Sequence, residues 1–210
     1  MGAQISPKDR YRVPANEASA KITIKGSKFI CHIFPAESKE KAEEIYARVQ
    51  KKFYDATHNC FAYRISQDIF RYSDDGEPSG TAGKPILQVL EGAELFEVLS
   101  VVTRYFGGTK LGTGGLIRAY SEATREALQK LTITEKIRTR TLTLQLDYGL
   151  ENLIYHYLDL WAGKLINSVY DKKILAEIQL PQSNVTPFLK QIKEQSAGKI
   201  VEFSHEKLAQ

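Results

Sequence analysis

Residues 95–118 read LFEVLSVVTRYFGGTKLGTGGLIR, and this stretch decides the fold of the first part of the chain. The apolar run Leu95–Phe106 predicts a buried central strand, because a strand that is buried on both faces reads as a continuous hydrophobic segment. Gly107 and Gly108 end the strand. A second glycine cluster then predicts the start of a long helix, whose apolar residues recur at helical spacing at Leu116, Tyr120, Ala123, Ala127 and Leu131.

The residues before this stretch predict a hairpin, a helix and a further strand. A Gly-Ser pair separates two candidate strands, Ala20–Lys25 and Lys28–Phe34, and such a pair is typical of a tight hairpin turn. Ser38 can cap a helix, because the apolar residues that follow it recur every three or four positions. A strand over Cys60–Ile65 comes next.

The last third of the chain contains a second pattern of strands and helices. The alternation of residue types over Thr141–Asp147 predicts a strand with one buried face. Asp147 is expected to cap the next helix and Gly163 to end it. Two strands, a helix and a last strand are then predicted at Leu165–Tyr170, Ile174–Leu180, Asn184–Gly198 and Lys199–Phe203. The order βαββαβ predicts a ferredoxin-like domain. We therefore expect an α+β chain with two domains, residues 1–133 and 134–210.

The composition is that of an ordinary globular protein. Of 210 residues, 42% are hydrophobic and 26% are charged, and the net charge is +4. No apolar run approaches the ~20 residues that a membrane-spanning helix needs, so we expect a cytoplasmic protein without a membrane partner. The charges are too evenly balanced for a protein that coats nucleic acid by charge alone.

The spacing of Cys31 and Cys60 matches neither a disulfide framework nor a zinc site. The sequence favours two reduced thiols, and a single disulfide between them is the alternative.

Two glycine-rich loops, residues 71–85 and 104–118, are the candidate functional site. Nine of the 14 glycines lie between residues 76 and 115. A strand that runs into a glycine turn and then a helix leaves backbone N–H groups free, and such groups bind phosphates and carboxylates. We therefore predict an anion-binding concavity formed by Gly107, Gly108, Gly112, Gly114 and Gly115, with positive charge from Arg104, Lys110 and Arg118.

The known glycine-rich nucleotide motifs do not fit these loops. The P-loop requires four residues between its first glycine and a Gly-Lys-Ser/Thr sequence, which neither loop supplies. Gly112, Gly114 and Gly115 lack the GxGxxG spacing of the dinucleotide fold, and no acidic residue follows at the expected strand end. A purely structural role for the glycines, in turns and in close packing, therefore stays open beside the binding role.

The first loop also contains three carboxylates in four residues, at Asp74, Asp75 and Glu77. Carboxylates are the type of side chain that a magnesium site or acid–base chemistry requires. Acidic residues beside Gly and Pro are, however, more often found in solvated turns. His58 and Cys60 are expected on one side of a strand, without two further ligands for zinc. We therefore expect no metal and no cofactor, and we assign no catalytic residue.

Three motifs in this order resemble the YigZ/IMPACT family. They are DATHNCFAYR at residues 55–64, DDGEPSGTAG at 74–83 and RYFGGTKLGTGGL at 104–116. The resemblance covers nearly the whole chain. It implies a ribosomal protein S5 domain 2-like fold for the N-terminal domain, followed by a ferredoxin-like C-terminal domain. Both resemble consecutive domains of elongation factor G, which acts on the ribosome. Eukaryotic relatives regulate translation through the activating partner of the amino-acid-starvation kinase, a role that uses a different accessory domain.

The resemblance and the loops together predict a translation-associated regulatory protein. Its partner would be RNA, the ribosome or a translation factor, without sequence-specific binding to DNA. Phosphates would be bound by Arg64, Arg71, Lys84, Arg104, Lys110 and Arg118, and bases would stack on aromatic residues that include Tyr63, Tyr72, Tyr105 and Phe106. The alternative hypothesis is a hydrolase that acts on a phosphorylated or small anionic ligand and uses the loop with Asp74, Asp75 and Glu77. The sequence shows no nucleophile together with its base, so an enzyme is the less favoured hypothesis. A third hypothesis treats the glycine-rich face as a docking surface for a protein.

Overall fold

A computed structural model describes residues 5–203. These residues form two compact units. The first unit consists of residues 11–135, and the second combines residues 5–10 with residues 136–203. In the described part of the chain, no helix is both long enough and apolar enough to cross a membrane.

The strands and helices up to residue 128 are, in chain order, β1 (Arg10–Pro14), β2 (Ala18–Ile24), β3 (Ser27–Pro35), α1 (Lys39–Lys52), β4 (His58–Arg64), β5 (Phe70–Ser73), α2 (Gly83–Gly92), β6 (Val98–Tyr105) and α3 (Gly112–Leu128). The first unit contains one five-stranded antiparallel sheet in the order β2-β3-β6-β4-β5. The central strand β6 is buried along almost its whole length, which confirms the prediction from its apolar run.

Helices cover both faces of this sheet. On one face α1 packs against β4 and β6, and the core there includes Ile45, Phe61 and Val101. On the other face α2 and α3 pack over a second core that includes Val102 and Leu116. The predicted cap of α1 is confirmed, because the Ser38 side chain accepts a hydrogen bond from the N–H of Lys41. The helix predicted from the second glycine cluster is α3.

The remaining strands and helices are β7 (Ile133–Ile137), β8 (Thr139–Leu146), α4 (Glu151–Leu160), β9 (Lys164–Tyr170), β10 (Ile174–Pro181), α5 (Val185–Gln195) and β11 (Val201–Glu202). The second unit has the predicted element order and one antiparallel sheet, in the order β11-β8-β10-β9, over an apolar core. A separate two-stranded sheet pairs β1 with β7, and the predicted domain boundary between residues 133 and 134 lies within β7.

Some local predictions are wrong. Asp147 does not cap a helix; a short 3₁₀ turn follows it, and its carboxylate lies 3.6 Å from the Lys173 ammonium instead. The last strand covers only Val201–Glu202 rather than Lys199–Phe203. The sequence patterns described above predict neither β5 nor α2. An exposed edge strand such as β5 shows no buried alternation, and the cap of α2 comes from a residue distant in sequence.

Candidate functional site

A pocket of about 460 Å³ opens where β6 ends and α3 begins; we call it the α3 pocket. Three parts of the first unit that are distant in sequence supply its walls: the start of β4, the loop after β5, and the glycine-rich segment between β6 and α3. The residues that line it are Thr57, His58, Glu77, Pro78, Arg104, Phe106, Lys110, Leu111, Gly112, Thr113 and Leu116. Both loops of the candidate site therefore contribute to one concavity.

The start of α3 forms one wall of the α3 pocket, and no side chain of the described residues caps it. Within residues 5–203, the first turn of this helix contains no acidic residue. Gly112 has a φ of +70°, a conformation that favours glycine. The first backbone N–H groups of a helix have no partner inside the helix, and the helix dipole adds partial positive charge there. With the exposed Lys110 beside them, these groups can bind a phosphate or a carboxylate.

A buried ion pair forms the floor of the α3 pocket. Arg104 Nη1 lies 2.5 Å from Glu77 Oε1, and the two residues are only 5% and 8% exposed. The same oxygen accepts a hydrogen bond of 2.8 Å from the Tyr120 hydroxyl. The expectation that Arg104 adds free positive charge to the concavity is therefore wrong, because Glu77 neutralises it. The burial of this hydroxyl raises the pKa of Tyr120 well above its ordinary value.

His58 and Cys60 lie on the same side of β4, as predicted, and their side chains have separate partners. His58 Nδ1 is 2.7 Å from the backbone oxygen of Asp75, and its Nε2 is 3.9 Å from Glu77 Oε1. The Cys60 thiol donates to the backbone oxygen of Asp74 and contacts the Tyr120 hydroxyl. Burial raises the pKa of the Cys60 thiol far above neutral pH, so this residue is a packed thiol and not a reactive thiolate. Cys31 and Cys60 are both free and buried in the structure.

The three acidic residues of the loop have separate structural partners. Asp74 accepts hydrogen bonds from the N–H groups of Gly80, Ala82 and Gly83, at 2.8–2.9 Å, so it caps the start of α2. Asp75 accepts from the N–H of Asn59 at 2.5 Å. Only Glu77 faces the α3 pocket. Among residues 5–203, no group of three His, Cys, Asp or Glu side chains is arranged to hold a metal ion.

Replacement of Asp74 tests its role as a cap. We expect Asp74→Ala to lower the free energy of unfolding of the first unit by about 2 kcal/mol, because three backbone N–H groups lose their acceptor. Chemical denaturation followed by circular dichroism measures this change. Asp68→Ala is the control, since Asp68 is exposed in the preceding turn. Equal stability of the two variants would show that the Asp74 carboxylate is dispensable.

The structure does not bring all of the predicted basic residues to this pocket. Lys110 lines it, and Arg118 is exposed one turn along α3. Lys84 is exposed on α2 and is not among the lining residues. Arg64 lies at the far end of β4, where its guanidinium stacks on a phenylalanine ring with a centroid distance of 4.0 Å. Arg71 pairs with Glu43 of α1, 2.7 Å away, on the opposite face of the sheet.

The predicted glycines and Tyr105 have several different roles. Gly107 packs directly on the β2–β3 turn, where an added Cβ would lie 1.9 Å from the carbonyl carbon of Gly26. Gly108 has positive φ and open space around it. Gly114 and Gly115 lie in the first turn of α3. The Tyr105 hydroxyl donates to Asp55 and lies outside the pocket.

The sequence reasoning missed several residues of the pocket. Thr57 and Leu111 line it, and Tyr120 joins its floor to the core. His58, which also lines the pocket, is treated in the sequence analysis only as a possible zinc ligand. The family motifs could have identified three of these residues, because Thr57 and His58 belong to the motif at residues 55–64 and Leu111 to the motif at residues 104–116.

Comparison with known proteins gives consistent results along the chain. The family model described as the Impact N-terminal domain matches residues 25–128. The chain is 36% identical over 197 residues to the IMPACT family member YigZ of Escherichia coli, covering 91% of this chain and 96% of that protein. It is 40% identical over 156 residues to the IMPACT family member YvyE of Bacillus subtilis, covering 73% of this chain and 67% of that protein.

A solved structure supports the same relationship. A crystal structure described as that of a hypothetical protein is similar to this chain with a TM-score of 0.68 and 35% sequence identity, and the similarity covers 93% of this chain and 97% of that one. The α3 pocket lies within the part matched by the family model, since its lining residues run from Thr57 to Leu116. From the extent and identity of these matches, the chain belongs to the IMPACT family, of which YigZ is a member.

Proposed function

We propose that this chain is a translation-associated protein of the cytoplasm that binds single-stranded RNA at the α3 pocket. The observation that carries the proposal is the uncapped start of α3 on the wall of a concavity. A backbone phosphate would accept hydrogen bonds from the first N–H groups of α3 and pair with Lys110. Phe106, which is 48% exposed, offers a ring on which one base can stack.

The geometry gives no support to the acidic loop as the catalytic part of the hydrolase alternative. A carboxylate that acts as a general base must receive a proton from the attacking group. The Glu77 oxygen nearest to His58 already accepts from Arg104 and Tyr120, and Asp74 and Asp75 are engaged by backbone N–H groups. The acidic loop therefore supports the walls of the pocket in this proposal and performs no chemistry.

We also infer the finer folds of the two units. For the second unit, the strand order β11-β8-β10-β9 with antiparallel neighbours supports a ferredoxin-like domain. For the first unit, the family resemblance supports the ribosomal protein S5 domain 2-like fold. An experimental structure in which β11 did not pair with β8 would contradict the ferredoxin-like assignment.

Lys110→Ala is expected to weaken the binding of single-stranded RNA by about five- to tenfold at low salt, and to reduce the salt slope by about one counterion. The reason is that Lys110 is an exposed lysine on the pocket wall. Filter binding across a salt series measures both quantities with a short labelled oligonucleotide.

The matched control is Lys130→Ala, which removes an exposed lysine just beyond the opposite end of α3. Equal losses in the two variants would mean general charge attraction. Binding to translation factors that is insensitive to salt, with no RNA binding by the unmodified protein, would favour the protein-docking hypothesis instead.

A further inference from the structure

His58 lies on the wall of the α3 pocket, and the fold fixes which of its ring nitrogens carries a proton. Nδ1 is 2.7 Å from the backbone oxygen of Asp75. A carbonyl oxygen only accepts hydrogen bonds, so Nδ1 must be the donor. A neutral imidazole has a proton on only one nitrogen, and Nε2 of the neutral ring is therefore a bare acceptor.

The second ring nitrogen, Nε2, is accessible from the α3 pocket. Among residues 5–203 it makes no hydrogen bond, and it is not closed to solvent as His32 Nε2 and Arg104 Nε are. The side chain of His58 is 20% exposed and lines the pocket. A ligand in the α3 pocket can therefore reach this nitrogen.

The ring of His58 is held in place by two other parts of the first unit. His58 is paired with Arg104 in the register of β4 and β6. The turn at Gly76 packs on the ring, because a Cβ added to Gly76 would lie 3.4 Å from both Cε1 and Nδ1. A side chain that is already ordered loses little entropy when a ligand binds, so the position of His58 favours a contact with one.

The carboxylate of Glu77 faces His58 but does not occupy Nε2. Glu77 Oε1 is 3.9 Å from Nε2, which is beyond hydrogen-bond distance. The same oxygen already accepts from Arg104 of β6 and from the Tyr120 hydroxyl of α3. A proton on Nε2 is therefore left for a ligand in the pocket.

The charge of the α3 pocket depends on the protonation of His58. The other charged residues of its lining are Glu77, Arg104 and Lys110, so the formal charge is +1 with a neutral His58 and +2 with a protonated one. The remaining titratable neighbours have partners of their own: the carboxylates of Asp74 and Asp75 accept from backbone N–H groups, and the Cys60 thiol donates to a backbone oxygen.

We propose that His58 is a further ligand-binding residue of the α3 pocket, which contacts a phosphate of the RNA through Nε2 after this atom has taken up a proton from solvent. The proposal rests on the function proposed for the α3 pocket. A phosphate oxygen only accepts hydrogen bonds, so it meets a lone pair on the neutral ring and a charged donor on the protonated ring. Imidazoles exchange a proton between about pH 5 and pH 8, so the affinity for RNA should rise as the pH falls through this range.

The test compares the binding of oligouridylate by the full chain at about pH 8 and about pH 5.5, at constant ionic strength. An oligouridylate without a terminal phosphate has no group of its own that titrates between these values. We expect the unmodified protein to bind about tenfold more tightly at the lower pH, because one charge-assisted hydrogen bond is gained. Calorimetry in two buffers of different ionisation enthalpy should show that binding takes up a fraction of a proton near neutral pH.

Replacement of His58 by asparagine separates the two ring nitrogens. The asparagine amide can still donate to the backbone oxygen of Asp75, but it cannot take up a proton. We expect His58→Asn to bind RNA at both pH values about as the unmodified protein does at the higher pH, and to take up no proton. Thermal denaturation shows whether this variant is folded, and the proton uptake of the unmodified protein is a second test that does not depend on it.

The matched control is His156→Asn, which removes an exposed histidine of α4 in the second unit and should leave the pH dependence unchanged. Equal RNA affinity of the unmodified protein at the two pH values, or the same pH dependence in His58→Asn, would overturn the proposal and leave the function of the α3 pocket unaffected. Loss of the pH dependence in His156→Asn would also overturn it, because general charge attraction would then explain the effect. Absence of RNA binding at both pH values would overturn this proposal together with the proposed function.

Discussion

Glu77→Ala is expected to lower the free energy of unfolding of the first unit by about 3–5 kcal/mol. The substitution leaves the guanidinium of Arg104 buried without its carboxylate, beside a Ser27 hydroxyl at 3.4 Å and the rings of Phe29 and Phe106. Neutral hydroxyl and aromatic groups stabilise a buried guanidinium less than the lost Glu77 carboxylate does. The Tyr120 hydroxyl loses its acceptor in the same variant.

Chemical denaturation followed by far-UV circular dichroism measures the loss. The single tryptophan, Trp161, lies in the second unit, so its fluorescence serves as an internal control. The matched variant is Glu77→Leu combined with Arg104→Met, which removes both charges and should recover most of the lost stability. If Glu77→Ala cost less than about 1 kcal/mol, the charge of Arg104 would have to be solvated through the α3 pocket, and the ion pair would not be a stabilising element.

The positions of β6 and α3 were predictable because the pattern that identifies them is local. A continuous apolar run and a helical repeat depend only on neighbouring residues, and packing in the first unit agrees with both. The start of α2 could not be found in this way. Its cap is Asp74, which lies nine residues before Gly83 and reaches the helix only after the loop has folded back.

Residues of both glycine-rich loops line the α3 pocket, but of the five glycines predicted to form an anion-binding concavity only Gly112 is among them, and the charge of the pocket was not predictable. Arg104 counts as positive in a sequence, and only the folded chain places Glu77 against it from a distant loop. The same holds for Arg71, which the register of β4 and β5 directs to the opposite face, beside α1. Sequence patterns give the residues of a site more readily than their partners, because the partners come from other parts of the chain.

The role of Gly107 can be separated from that of the glycines at the start of α3. Gly107 follows the central strand and packs on the turn between β2 and β3, and an added Cβ would lie 1.9 Å from the carbonyl carbon of Gly26 and 2.2 Å from the nitrogen of Ser27. These are backbone atoms, which cannot move aside as a flexible side chain can. At Gly114 the same added atom would meet only the Arg118 guanidinium, at 3.7 Å, an ordinary contact distance.

We therefore expect Gly107→Ala to lower the free energy of unfolding by about 3 kcal/mol or more, because the β2–β3 turn must move away from the end of β6. Gly114→Ala should leave stability unchanged or raise it by up to about 1 kcal/mol, since alanine loses less entropy than glycine in a helix. Thermal and chemical denaturation of the full-length variants compare the two directly. Equal effects at the two positions would contradict the close packing of Gly107. A stable Gly107→Ala variant would mean that the turn between β2 and β3 can move away from Gly107 at little cost in free energy.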